Sequence, residues 1–194
     1  MKKLVFAASA FFAVSLAANV FALDFSADMV MIQKDVTTNA KVFMSGQRSR
    51  MEVPGSISIS RMDKKVMWIL MPEQKMYMEQ AFDPSKMMVS SGKVEGELER
   101  TPLGKDTVDG KVTDKYKVTY EIQGMRNEMY QWIESGSNFP IKTSSLDGSW
   151  SAEYRNIKTG PQPDSLFEVP EGYKKFSMDM PDMGDMMKEM EKNE

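Results

Sequence analysis

Methionine is the one residue type here whose number and spacing suggest chemistry. Of 194 residues 20 are methionine, and Met178, Met180, Met183, Met186, Met187 and Met190 crowd into one short C-terminal stretch. Thioether sulfur suits soft ions such as Cu(I) and Ag(I), and several methionines close together can wrap one without other ligands. Met183, Met186, Met187 and Met190 also recur at i, i+3, i+4 and i+7, which on a helix makes one apolar stripe. Asp182 and Asp185 stand near its start and Lys188 and Lys192 near its end, matching the helix dipole. Three readings of residues 178–194 stay open: a stripe docked on the protein's own sheet, a disordered acidic tail, or soft-metal capture.

Catalytic chemistry has little to work with. Histidine and cysteine are both absent, which removes the commonest general base, the usual zinc ligands and both familiar nucleophilic triads. Gly104 to Lys111 imitates a phosphate loop, but Val112 stands where a magnesium-binding hydroxyl belongs. Ser90-Ser91-Gly92-Lys93 has Ser-x-x-Lys spacing without its companion motifs. Carboxylates are plentiful, yet no pair can be given acid and base roles. The reading is a protein that is not an enzyme, has no catalytic residue and needs no cofactor.

A second set of methionines, Met29, Met31, Met44, Met67, Met71, Met76 and Met78, falls on strands. They are either ordinary core or a plastic surface that adapts to varied apolar ligands. Trp68 and Trp132 read as core anchors.

The elements that position these residues follow an export leader. Lys2 and Lys3, an apolar run from Leu4 to about Ala18 and Val20-Phe21-Ala22 read as a signal peptide over 1–22, cleaved near Ala22. The chain carries 25 basic against 28 acidic residues, a net of −3, which argues against nucleic acid as a partner. Without cysteine the exported part must stand on its core alone. Period-two alternation begins at Phe25, Ala27, Met29 and Met31. A turn is expected over Asp35–Asn39, then one strand over Ala40–Glu52, the alternating Ser56–Ser60, the two-sided Val66–Met71 and a return over Lys75–Gln80. A short helix is expected over Pro84–Ser91. Strands follow at Glu95–Thr101, Lys111–Ile122, Asn127–Glu134, Ile141–Leu146 and Ser149–Ile157. Sequential strands favour an antiparallel meander. The fold class is mainly β (α+β).

The run Gly160-Pro161-Gln162-Pro163-Asp164-Ser165-Leu166-Phe167-Glu168-Val169-Pro170-Glu171-Gly172-Tyr173 resembles the closing signature of an exported family catalogued as domain of unknown function 4412. Gln131-Trp132-Ile133 and the Asp109-Gly110 turn before Tyr116-Lys117-Val118 are similar to it as well. More distantly, Arg50-Met51-Glu52 and the Trp68 strand after the Asp63 turn resemble the LolA/LolB lipoprotein-carrier superfamily. That resemblance implies a curved antiparallel sheet, an incomplete barrel whose concave side holds acyl chains beneath helices, with Arg50 at the position that ties down the cover. A departure is that Leu23 and Asp24 leave no room for the helix those carriers place before their first strand.

These readings combine into one expectation. Residues 23–177 form a single incomplete-barrel domain, periplasmic or secreted, that binds a hydrophobic small molecule or lipid acyl chain. The expected lining is Met29, Met31, Met44, Trp68, Leu70 and Tyr77, with Arg50 holding a cover; which strand parity faces the ligand is not readable. The alternatives are soft-metal binding by the tail methionines and a structural module that meets an envelope protein partner.

Overall fold

The computed structural model describes residues 24–81, 94–136 and 139–176. Within them twelve strands form one curved, open sheet. These are β1 (Phe25–Gln33), β2 (Val36–Ser45), β3 (Arg48–Val53), β4 (Ser56–Arg61), β5 (Val66–Met71) and β6 (Met76–Ala81). Then come β7 (Glu97–Val108), β8 (Lys111–Ile122), β9 (Met125–Glu134), β10 (Pro140–Ser145), β11 (Trp150–Thr159) and the two-residue β12 (Lys174–Lys175). The spatial order is β12-β6-β5-β4-β3-β2-β1-β11-β10-β9-β8-β7. Two meanders, β1–β6 and β7–β11, meet where β1 pairs with β11, and every pair but β12–β6 is antiparallel.

Local chemistry explains the hairpins. Asp109-Gly110 and Gln123-Gly124 both hold two successive positive φ angles, the turn whose twist matches paired strands. Pro54-Gly55, with Gly55 at φ +79, has the proline-then-glycine order of a type II turn.

Three expected elements need correction. The chain does not turn over Asp35–Asn39; it turns at Lys34 and Asp35 and enters β2 at Val36. Nor is Ala40–Glu52 one strand, because Gly46 at φ +55 folds it back at Gly46-Gln47. The Gly46 amide donates to Asp24 Oδ1 at 3.1 Å and Arg48 donates to the Ser45 hydroxyl at 3.0 Å, so the turn is held by side chains from both sides. Arg50 consequently lies inside β3, not at the end of a second strand. The expected strand Glu95–Thr101 runs on to Val108 through Pro102 and Gly104. Proline is tolerated there because β7 is a sheet edge, where a missing N–H breaks no ladder bond. The leader, the expected helix over Pro84–Ser91 and the tail methionines lie outside the described residues.

Connecting β6 to β7 constrains the shape. Ten inter-strand spacings at about 4.8 Å would part them by roughly 48 Å on a flat sheet, while the residues between Ala81 and Glu97 reach at most about 55 Å when fully extended. Curvature shortens that path. The connection returns at Val94, which packs on Val118, Tyr120 and Met129, and at Gly96, whose amide and carbonyl region meets β8 where Glu121 donates to the Gly96 carbonyl at 2.9 Å.

Gly96 is therefore the tightest glycine in the sheet. A Cβ there would stand 2.0 Å from the Glu121 carbonyl oxygen at φ +67, whereas Gly55 and Gly124 have open space. Gly96→Ala is expected to cost at least about 2 kcal/mol and Gly124→Ala about 1 kcal/mol, read from urea unfolding midpoints.

Candidate functional site

Residues directly opposite one another in a ladder point to the same side, so the registers sort every strand into two faces. Phe25, Ala27, Met29 and Met31 of β1 face the same way as Met44, Val42 and Ala40 of β2. Following the pairs outward, that face continues through Met51 and Val53, then Ser56, Ser58 and Ser60, then Met67 and Ile69, and ends on Met76 and Met78. In the other direction it takes in Ala152 and Tyr154, Thr143, Gln131 and Met129, and Tyr116 and Val118. This is the methionine face.

Its centre is a dry aromatic cluster. Phe25 and Phe139 meet edge-to-face at 5.1 Å between ring centroids and Phe139 and Tyr154 at 5.5 Å, packed with the buried Met29, Val42 and Ile141. Burial pushes the Tyr154 phenol well above its ordinary range, which keeps it neutral. Toward β6 the packing thins. Met51, Val53, Met67, Ile69, Met71, Met76 and Met78 are only half-buried, in a stripe whose polar members are Ser49, the three serines of β4 and Gln80.

The opposite face of β3–β6 is covered. After β11 the chain crosses it as an arm, residues 160–173, with one 3-10 turn at Asp164–Phe167, and ends as β12 beside β6. Phe167 is fully buried among Ile59, Trp68 and Leu70, with Phe43, Ile57, Val66 and Tyr77 around them. Three arginines hold the arm from below. Arg48 pairs with Asp164 at 2.6 Å and lies over the Phe167 ring. Arg50 donates to the Leu166 carbonyl at 3.0 Å and to Glu52 at 2.7 Å. Arg61, almost wholly buried, donates to the Phe167 carbonyl at 3.1 Å and pairs with both Asp63 and Glu168. Lys64 reaches Glu168 as well, and Lys175 pairs with Glu79, which also accepts from the Trp68 indole. Hydrogen bonding from Arg61 holds the Asp63 carboxyl below its ordinary value. For Glu168 burial pulls upward, but the Lys64 and Arg61 donors outweigh it and the net shift is down.

The seven expected lining residues thus divide. Met29, Met31 and Met44 share the methionine face, while Arg50, Trp68, Leu70 and Tyr77 share the arm face. Met29 and Leu70 are fully buried, so neither presents a surface. Arg50 binds the arm's backbone. Met51 and Ile69 on the methionine face, and Arg61 and Phe167 under the arm, were not singled out from sequence. The only signal for the last pair was the alternation of Phe167, Val169 and Tyr173 inside the closing motif. A shallow cleft of about 500 Å³ also opens on the arm face between Asp28, Lys41, Glu52 and Arg155; its two acids and two bases balance. Among the described residues no cluster of three or more acidic side chains is placed to hold a metal ion, and no helix is long and apolar enough to cross a membrane. Met178, Met180, Met183, Met186, Met187 and Met190 lie outside the described residues.

The comparisons with known proteins agree with this architecture. Residues 26–135 match the family described as Domain of unknown function (DUF4412), and the chain belongs to that family. No curated protein matches the sequence. Among solved structures it is similar to MucB, with a TM-score of 0.53 at 13% identity over 77% of this chain and 58% of MucB. It is similar also to MucB in complex with MucA(peri), with a TM-score of 0.50 at 14% identity over 77% of this chain and 55% of that one. The lipoprotein LppX of Mycobacterium tuberculosis follows at 0.47 and 13% identity, covering 71% and 88%. This chain spans little more than half the length of MucB, and the likeness is one of fold, a curved open sheet.

Two outcomes follow for the arm. Phe167→Ala removes a fully buried ring, at a cost of about 3–5 kcal/mol, and Arg61→Ala costs about 1–3 kcal/mol because water reaches its half-exposed partners. Both raise amide exchange of Leu166–Lys175 more than that of β1 and β11. Because Asp63 and Glu168 have folded values below their ordinary 3.8 and 4.5, the stability they supply is complete above those values and fades as pH falls through the lower folded ones. Arm release on acidification, followed by Trp68 emission in a Trp132→Phe, Trp150→Phe background, is expected only below about pH 4.5.

Proposed function

We propose that the protein is a non-enzymatic carrier, exported to the periplasm, that holds a lipid acyl chain or similar apolar ligand against the methionine face of its curved sheet. The observation that carries this reading is the half-buried stripe of Met51, Val53, Met67, Ile69, Met71, Met76 and Met78, on the side of β3–β6 opposite the arm. Such a row normally sits in a core. Flexible thioethers suit a ligand of variable shape, and each methylene withdrawn from water contributes about 0.8 kcal/mol. Catalysis is not required for such a role. The leader over residues 1–22, the shared fold with MucB and membership of an exported family's sequence pattern support the envelope as the place of action.

Soft-metal binding through residues 178–194 is the competing reading, and deletion separates the two. A fluorescent fatty acid is expected to bind the exported, processed protein and to bind equally after removal of 178–194. Ile69→Asp and Met78→Asp are each expected to weaken it at least tenfold, since a carboxylate in an apolar site loses its hydration, while Tyr77→Ser on the arm face leaves it nearly unchanged. Loss of Ag(I) binding with the tail, together with no fatty-acid binding by the intact protein, reverses the conclusion. Mass spectrometry of small molecules that co-purify from envelope extract identifies the natural ligand.

A further inference from the structure

The sheet has two rims, made by alternate sets of turns, and they differ in chemistry. One rim gathers the turns after β1, β3, β5, β8 and β10 and the start of β7. On it stand Val36 and Met125, 65% and 63% exposed, together with the exposed Ile32, Leu98, Ile122 and Leu146. The other rim carries the turns at Gly46-Gln47, Met62–Lys65, Asp109-Gly110 and Ser135-Gly136, and beside it the one large apolar side chain exposed among the described residues is Val112. Leu103 lies midway along β7 and Phe176 beyond β12. Exposed apolar groups are thus concentrated on one edge, a pattern that marks an interaction surface.

We infer that this rim is a membrane-docking edge, and the inference rests on the carrier reading above. From β2 to β7 the six side chains spread along about 30 Å, at one strand spacing per step. They sit on three hairpins and the start of β7, with polar Lys34-Asp35, Gln123-Gly124 and Asp147-Gly148 at the hairpin tips. A bilayer surface meets all of them at once, the apolar tips entering the headgroup boundary and the polar turn residues staying at headgroup level. A protein partner would need several separate pockets over the same length. The methionine face reaches the same edge: Met71 and Met76 are the last pair before the β5–β6 turn, and Trp150 pairs with Gln33 beside the β1–β2 turn. An acyl chain leaving a bilayer there passes onto the sheet with little exposure to water. Lys34, Lys75 and Arg126 are offset on this rim by Asp35, Glu73, Glu121 and Asp147, so attachment depends on apolar insertion and not on anionic lipid.

The test uses the exported, processed protein, its N-terminus checked by mass, with phosphatidylcholine vesicles. Co-sedimentation is expected for the unaltered chain and to persist at high salt. Val36→Asp combined with Met125→Asp is expected to lower vesicle partitioning at least tenfold, with unchanged far-ultraviolet dichroism and unchanged binding of a soluble fluorescent fatty acid. Leu103→Asp with Val112→Asp, also exposed but off this rim, retains vesicle binding. The inference is overturned if the unaltered protein ignores vesicles, or if both double variants lose binding alike, or if the rim variant keeps it. Vesicle binding through the rim with no fatty-acid uptake leaves the docking edge standing and removes the carrier reading alone.

Discussion

A single-layered sheet has two faces, and each apolar side chain on either needs a cover. This constraint organises the whole structure. Twelve strands among the described residues provide far more apolar face than one thin segment can shield. The arm of residues 160–173 covers the outer part of one face. The middle of the other is sheltered by the meeting of Phe25, Phe139, Tyr154, Met29 and Ile141. What is left among the described residues is the methionine stripe of β3, β5 and β6, half-buried and mostly apolar.

The arm works because its polar backbone is satisfied as it crosses an apolar surface. An irregular segment laid on a sheet brings carbonyls that no ladder can pair. Arg50 and Arg61 donate to the carbonyls of Leu166 and Phe167, and the same Arg61 is neutralised by Asp63 and Glu168. The ring of Phe167 supplies the apolar contact, and β12 closes the margin of β6 with a short parallel ladder. Covering one face in this way assigns the proposed ligand to the other, so the arm contributes to the proposed function without touching it.

A carrier built on these lines separates its tasks in space. Stability resides in the aromatic centre and beneath the arm, while the proposed ligand contact falls to the flexible thioethers and the inferred membrane contact to one rim of turns. Each part can vary without dismantling the others, because distant sites in a sheet share few side chains.

Alternation along β1, the proline and glycine turns and the antiparallel meander were legible from the residues, as was membership of a family with a curved sheet. Strand identity follows from local rules of period two and turn chemistry. The Gly46 turn was missed because Gly46-Gln47 is only two residues long and carries no proline, with Val42, Phe43 and Met44 apolar before it and Met51 after it. Parity decided the site, and parity is only relative in a sequence: Met29 and Trp68 both read as inward until the registers of β2 to β5 placed them on opposite faces. The sequence by itself determined which residues alternate and where the chain reverses, since those depend on neighbours a few positions apart. Only the tertiary structure decided which face the arm of residues 160–173 covers, because the arm's partners on β3 to β5 lie about a hundred residues away along the chain.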